Sequence, residues 1–140
     1  IEASRVRVSG STAEAIMSAA REVAETVQVK AICCFSHSGA TALLAARERP
    51  RVPIVALTPF KSTGRRLALI WGLHCAIVEE VERFKLAVVS AARVAKRDGF
   101  ATETDRIVVT AGVPFGQPGT TNILRVALAD ERAIYEGEPA

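Results

Sequence analysis

The segment AICCFSHSGAT, residues 31–41, indicates the fold class of the chain. Its first part, Ala31 to Phe35, is continuously apolar, which is typical of a central parallel strand covered on both faces. A short polar loop, Ser36 to Gly39, follows directly, and Thr41 to Arg49 then has the pattern of a helix. The segment therefore predicts a buried strand that turns into a helix through a loop of small residues.

Helices and strands alternate on both sides of this segment. Ser11 and Glu14 have the spacing of a capping box, so a helix should begin there. Ser62 or Thr63 is the expected cap of a later helix that runs through Ile70. Further apolar strands are predicted at residues 54–57, 75–78, 106–110 and 122–128, with another helix over residues 81–97. The alternation predicts an α/β fold, a three-layer α/β/α sandwich around a mostly parallel sheet.

The length and composition of the chain fit one domain. Its 140 residues, 49% of them apolar, suffice for a single hydrophobic core. We expect the domain to cover residues 1–128 and residues 129–140 to form a frayed tail. Trp71, the one tryptophan, is expected to be a packing anchor. The chain opens without Met and without a secretion signal, which favours a fragment of a longer protein.

Composition argues against several classes of partner. The net charge is only +3 and 5% of the residues are aromatic, so a nucleic-acid surface is not expected. The apolar stretches are far shorter than the roughly 20 residues of a membrane span, so no membrane partner is expected. Cys33 and Cys34 are adjacent in the apolar run, where they should point to opposite faces of a strand. Buried, reduced thiols in a cytoplasmic protein are favoured over a metal site.

The loop from Ser36 to Thr41 is the first candidate site. In wound α/β sheets, ligands lie beyond the carboxyl ends of the strands. Small residues and hydroxyls at the start of a helix can surround an anion, and phosphate is the obvious one. The alternative is purely structural, with Ser38 capping the helix and Gly39 easing the turn. His37 is more simply a structural or exposed histidine than a catalytic one.

The loop from Gly112 to Thr121 is the second candidate. It is longer and richer in glycine than a simple connection between neighbouring strands requires. If the fourth strand lies beside the first, the two loops meet at one edge of the sheet. The alternative is a stiff hairpin without a ligand, because Pro114 and Pro118 restrict the backbone for any purpose.

The known catalytic motifs are missing. No G-x-G-x-x-G follows the first strand, and no G-x-x-x-x-G-K-[ST] occurs anywhere. No G-x-S-x-G elbow presents a nucleophilic serine. A nucleotide-hydrolysing motor is therefore not expected, and we predict no metal site and no cofactor in this domain.

Both loops, with their flanks, resemble the C-terminal α/β domain of bacterial pyruvate kinases. Three segments carry the resemblance, which extends from about Thr12 to Leu128. They are residues 31–41 (AICCFSHSGAT), 53–72 (PIVALTPFKSTGRRLALIWG) and 105–126 (DRIVVTAGVPFGQPGTTNILRV). The resemblance implies a five-stranded sheet in the order 3-2-1-4-5 with strand 5 antiparallel.

The resemblance also implies a role in regulation and assembly. Pyruvate kinases transfer a phosphoryl group from phosphoenolpyruvate to ADP in glycolysis, with Mg²⁺ and K⁺, on a TIM barrel too large for this chain. The C-terminal domain of tetrameric members forms a subunit interface, so this chain is expected to be an inactive regulatory and oligomerisation domain. The alternative is a free-standing module that binds a phosphorylated metabolite.

The effector site implied by the resemblance lies between the two loops. In members that respond to phosphorylated sugars, the first loop holds a phosphate and the second closes over the ligand. The corresponding positions here are Ser36, His37, Ser38, Gly39, Thr41, Gln117 and Gly119. Sugar-bisphosphate-sensitive members usually carry a basic residue where this chain has Ala40, which favours a monophosphate.

Overall fold

A computed structural model of the chain describes residues 11–113, 115 and 121–137. Helices and strands alternate along these ranges until the last two strands. The helices are α1 (Thr12–Thr26), α2 (Ala40–Glu48), α3 (Lys61–Leu67), α4 (Phe84–Arg97) and α5 (Glu131–Glu136). The strands are β1 (Val29–Phe35), β2 (Ile54–Thr58), β3 (Leu73–Ile77), β4 (Arg106–Ala111) and β5 (Ile123–Leu128).

The strands form one sheet in the order β3-β2-β1-β4-β5, which confirms the predicted order. β1 pairs in parallel with β2 and β4, and β2 pairs in parallel with β3. Only β4 and β5 are antiparallel among these pairs, as predicted. Cys34 lies opposite Ala56 on one side and Thr110 on the other, so β1 is the central strand.

Helices cover both faces of the sheet and give the predicted three layers. Cys33 packs with residues of α4 and α5, and Cys34 with residues of α1 and α2. The two adjacent thiols thus point into different cores, as the alternation of a strand requires. Both cysteines are fully buried and unpaired, and burial raises the pKa of Cys33 and raises that of Cys34 to about 12. Neither thiol ionises near neutral pH.

The capping box at the start of α1 is present as predicted. The Glu14 amide donates to Ser11 Oγ over 3.1 Å, and the Ser11 amide donates to the Glu14 carboxylate over 3.0 Å. The predicted cap of α3 is wrong. The helix begins at Lys61, after Phe60, and ends at Leu67. Ser62 and Thr63 therefore lie inside the helix, where the Thr63 hydroxyl donates to the carbonyl of His37.

The predicted frayed tail is also wrong for residues 131–136, which form α5. The Asp130 side chain caps this helix by accepting from the Arg132 amide, and Ile134 is fully buried. Glu131 binds Arg93 at 2.8 Å and Lys96 at 3.2 Å, and these cations hold its pKa below the usual range. This helix has a weak local pattern because it is short and its stability comes from packing on α4.

Trp71 is not the packing anchor that the sequence suggested. Its side chain is 94% exposed in the turn between α3 and β3, and the nearby Leu69 is 86% exposed. The turn is tight at Gly72, whose φ of 88° lies in the left-handed region. The indole therefore projects into solvent in this chain. None of the helices in the described ranges combines the length and apolar character needed to cross a bilayer.

Replacing Ile134 should show whether α5 is part of the core. Ile134→Ala is expected to lower the free energy of unfolding by about 2–5 kcal/mol, because a buried side chain is truncated. Urea denaturation followed by circular dichroism measures this change. The control is Tyr135→Ala at a 52% exposed position, which should cost less than about 1 kcal/mol. Equal, small effects of the two substitutions would contradict the docking of α5.

The fluorescence of Trp71 should report its exposure. The chain has one tryptophan, so its emission comes from a single site. We expect the emission maximum of the dilute folded chain to match that of the urea-unfolded chain, and iodide to quench both to a similar extent. A blue-shifted, poorly quenched emission in dilute solution would show that the indole is buried.

Candidate functional site

Buried hydroxyl groups collect at the carboxyl edge of the sheet. Every buried polar residue in the described ranges is a serine or a threonine, and all of them follow or end β1, β2 and β4 or lie in the segments that face those ends. They are Ser36, Thr41, Thr58, Thr63, Thr110 and Thr121. No carboxylate, side-chain amide or cationic side chain is buried in the same ranges. The buried groups at this edge are therefore polar but uncharged.

The strand register places three of these residues on one face of the sheet. Ser36 lies two residues after Cys34, and Thr110 is the partner of Cys34 in β4. Thr58 lies two residues after Ala56, which is the partner of Cys34 in β2. Because side chains alternate along a strand, these hydroxyls share the face on which α2 packs. The strands therefore deliver a row of hydroxyls to the start of α2.

The two candidate loops meet, as predicted from the neighbouring positions of β1 and β4. The hydroxyls of Thr41 and Thr121 are 2.7 Å apart and buried. On the other face of β1, the ring of Phe35 contacts Phe115 edge to face at 6.3 Å between centroids. Among the described residues, a hydrogen bond thus connects the two loops, and a ring contact connects the end of β1 to the second loop.

Asn122 closes the base of the second loop. Its side-chain oxygen accepts from the Val113 amide at 2.9 Å, and its side-chain nitrogen donates to the Val113 carbonyl at 2.8 Å. These two hydrogen bonds extend the antiparallel pairing of β4 and β5 by one position beyond Ala111 and Ile123. Of the predicted site residues, Gln117 and Gly119 lie outside the described residues.

Contacts with α3 orient the first loop. The Thr63 hydroxyl donates to the His37 carbonyl at 3.0 Å, and Arg66 Nη2 donates to the Ser38 carbonyl at 3.0 Å. Because both carbonyls bind to α3, the backbone amides of this turn point away from α3. No described residue accepts a hydrogen bond from the amides of His37, Ser38 or Gly39. The first turn of α2 adds further amides that have no acceptor within the helix.

Gly39 allows α3 to pack closely against the first loop. It is the N-cap residue of α2 with a φ of 97°, in the left-handed region that favours glycine. A Cβ at this position would lie 3.2 Å from Leu67 Cδ2. Ser38 is not the N-cap, and its hydroxyl oxygen lies a long 3.4 Å from the Ala40 amide nitrogen. Capping therefore does not explain the polar residues of the loop.

Two buried hydroxyls of this edge, Ser36 Oγ and Thr110 Oγ1, have no hydrogen-bond partner among the described residues, and of the two only Ser36 belongs to the first loop. Ser36 is 4% exposed. A buried hydroxyl without a partner costs about 1–3 kcal/mol. An exception of this kind needs an explanation, and a polar ligand or an ordered water at the edge supplies one.

His37 has a different environment from its neighbours. Its ring packs against that of Phe60 in a tilted arrangement, with centroids 4.5 Å apart and 59° between the planes, and the residue is partly exposed. The second histidine, His74, is remote from the site and pairs with Asp98 at 2.7 Å. The histidines are therefore not arranged as an acid and base pair. In the described part of the chain, no group of three His, Cys, Asp or Glu side chains converges as metal ligands would.

Several site residues were missed in the sequence. Thr58, Thr110 and Thr121 fall at the ends of predicted strands or in a predicted loop, and hydroxyls at adjacent strand ends are a usable signal once the strand order is known. Thr63 and Arg66 could not be found in this way. Their contacts with the carbonyls of His37 and Ser38 join residues 26 and 28 positions apart.

The arrangement favours binding an anion and offers no nucleophile. Amides, hydroxyls and a helix N-terminus are the neutral donors that hold phosphate groups. The nearest thiol, Cys34, keeps its proton because burial raises its pKa to about 12, and the neighbouring Thr110 hydroxyl opposes this rise only partly. Of the predicted site residues, the structure brings Ser36, Ser38, Gly39 and Thr41 together.

Comparison with known proteins identifies the family. Residues 14–127 match the family described as "Pyruvate kinase, alpha/beta domain". The chain is 40% identical over 114 residues to a pyruvate kinase of Methylorubrum extorquens, which covers 81% of this chain and 24% of the relative. It is 37% identical over 129 residues to a pyruvate kinase of Agrobacterium vitis, covering 92% and 27%. The chain thus spans about a quarter of these relatives.

A solved structure supports the fold. The crystal structure of a pyruvate kinase from Cryptosporidium parvum superposes with a TM-score of 0.78 over 90% of this chain and 24% of that one, at 24% identity. This likeness extends to the sheet order and the helical layers described above. The sequence matches and the fold agree, so the chain belongs to the pyruvate kinase family and corresponds to its C-terminal α/β domain.

Proposed function

We propose that this chain is the regulatory and assembly domain of a pyruvate kinase and that it binds a phosphorylated effector. The effector lies between loop 36–41 and loop 112–121, at the carboxyl edge of β1 and β4. The observation that carries the proposal is the buried hydroxyl of Ser36, which has no partner, beside backbone amides of the same loop that have no hydrogen-bond acceptor. Such donors complete their hydrogen bonds when an anion binds.

The chemistry of the donors favours a phosphate group. A phosphate offers several acceptor oxygens in a compact tetrahedron, which suits convergent hydroxyls and amides. The N-terminus of the nine-residue α2 adds the positive end of its dipole. Of the residues proposed for binding, Ser36, His37, Ser38, Gly39 and Thr41 surround this end, and Gln117 and Gly119 belong to the second loop.

The proposal assigns catalysis to the rest of the protein. The whole enzyme would transfer a phosphoryl group from phosphoenolpyruvate to ADP with Mg²⁺ and K⁺, outside this domain. Occupancy of the site would act through the packing of subunits, in a homotetramer, because a ligand shifts an equilibrium only by binding its two states differently. In this domain the ligand would connect two loops that already meet at Thr41 and Thr121.

Phosphorylated metabolites should stabilise the isolated chain. Ribose 5-phosphate, glucose 6-phosphate, AMP and fructose 1,6-bisphosphate are titrated while thermal unfolding is followed. A compound present at about 100 times its dissociation constant should add roughly 2.7 kcal/mol to the free energy of unfolding. Ribose, glucose and adenosine at equal concentrations are the controls and should have no effect. Absence of a shift with all four phosphates would contradict the proposal.

Replacing Ser36 should separate binding from structure. Ser36→Ala removes a buried hydroxyl without a partner, so the unliganded chain should be equally stable or more stable, by up to about 1–3 kcal/mol. The affinity for the phosphate that binds should fall about tenfold or more, since a hydrogen bond to a charged group contributes about 1.5–3 kcal/mol. Calorimetric titration and urea denaturation measure the two quantities.

The matched control is Ser18→Ala on the exposed face of α1, which should change neither quantity. A large loss of stability in the Ser36→Ala variant, with unchanged phosphate affinity, would show that the hydroxyl is structural.

A further inference from the structure

The charge of the anion site is not supplied by the loop that forms it. Loop 36–41 contains no lysine and no arginine, and the buried groups around it are neutral hydroxyls. A dianion taken from water into a partly buried site binds weakly unless a cation stands near it. The cation must therefore come from another element of the fold.

Arg66 of α3 is the cation that the structure connects to the loop. Its Nη2 is 3.0 Å from the Ser38 carbonyl and 3.3 Å from the Thr63 hydroxyl. Both contacts use one nitrogen of a guanidinium that has five N–H donors. Nε and Nη1 have no acceptor among the described residues. The side chain is thus anchored at the loop while most of its donors remain available.

The charge of Arg66 is not neutralised within the described part of the chain. No carboxylate there forms an ion pair with it. The sequence has no Asp or Glu between Glu48 and Glu79, whereas this stretch contains five cations. They are Arg49, Arg51, Lys61, Arg65 and Arg66. Arg49 and Arg51 precede β2 at the opposite edge of the sheet, so the cations near the loop are Lys61, Arg65 and Arg66 of α3, and they favour anions there.

The position of Arg66 is fixed by close packing of α3. A Cβ on Gly64 would lie 2.5 Å from Ile77 Cδ1, so this helix lies directly against β3. On its other side Leu67 and Thr63 are next to Gly39. The helix cannot move away from the loop without breaking both contacts. Arg66 itself is exposed, so its guanidinium extends from a fixed backbone position and can reach an anion at the loop.

We propose that Arg66 is the cationic residue of the anion site and makes it selective for dianionic phosphate monoesters over monoanionic ligands of similar shape. This inference rests on the proposed function and adds the class of ligand to it. Thr63 has a different part, since its neutral hydroxyl only orients the loop through the His37 carbonyl. Charge and orientation are thus assigned to two residues that can be replaced separately.

A pair of small phosphates tests the assignment. At pH 8 methyl phosphate is a dianion, since the second pKa of such monoesters is about 6, and dimethyl phosphate is a monoanion of similar shape. The affinity of the 140-residue chain for each is measured by calorimetric titration at low salt. We expect a preference for methyl phosphate of about tenfold or more in the unaltered chain.

Three variants separate charge from structure. Arg66→Gln should reduce the preference for methyl phosphate by at least about fivefold, and Arg66→Lys should retain part of it because the charge is kept. Arg65→Gln is the matched control, an exposed cation on the same helix without a contact to the loop, and should change the preference less than about twofold. Thr63→Val should affect both phosphates equally.

Each contrary result has a distinct meaning. An unaltered chain that binds neither phosphate would overturn the proposed function together with this inference. Binding of methyl phosphate with a preference that Arg66→Gln leaves intact would overturn the inference alone. Equal losses of preference in Arg65→Gln and Arg66→Gln would also overturn it, since they would show a general surface field instead of one positioned residue.

Discussion

The parallel pairing of β1 with β4 is the constraint on which the rest of the structure depends. β1 lies between β2 and β4, and the chain winds outward from it in both directions. The loops that follow β1 and β4 therefore start from neighbouring strand ends at the same edge of the sheet, where ligands bind in folds of this class. This same pairing brings Thr41 within 2.7 Å of Thr121, 80 positions along the chain. Any ligand site at this edge exists only because the two strands are neighbours.

The use of hydroxyls at this edge reconciles burial with polarity. A buried carboxylate or amine would lose a large hydration energy, whereas a serine or threonine hydroxyl can be satisfied by one neighbour. Thr41, Thr58 and Thr63 find such neighbours within the chain. Ser36 does not, and it lies where the row of hydroxyls reaches the start of α2. The Thr110 hydroxyl of β4 is also without a partner, so the row is left unsatisfied at the ends of the two neighbouring strands β1 and β4.

The fold could be predicted further than the site. The apolar run at Ala31–Phe35 and the alternation of helices and strands determine the layers, because buried parallel strands and crossover helices have strong local patterns. The strand order came from the resemblance to a family, since no local pattern specifies which strands are neighbours. Errors arose where tertiary contacts override local signals. Thr63 bonds to the His37 carbonyl instead of capping α3, and the burial of Ile134 stabilises a six-residue α5 that its sequence alone would not form.

Only the part of the candidate site that is formed by consecutive residues could be predicted. A strand followed by Ser-His-Ser-Gly and a helix indicates free amides at one end of that helix, and those are found. The orientation of the amides depends on α3, which turns the carbonyls of His37 and Ser38 toward itself. Glycine at position 64 lets the helix lie against Ile77, and glycine at position 39 leaves room for Leu67. The chemistry of the loop is therefore set by residues that never enter it. Position 40 carries alanine instead of a basic residue, but a positive charge still lies at the loop because Arg66 reaches it from α3.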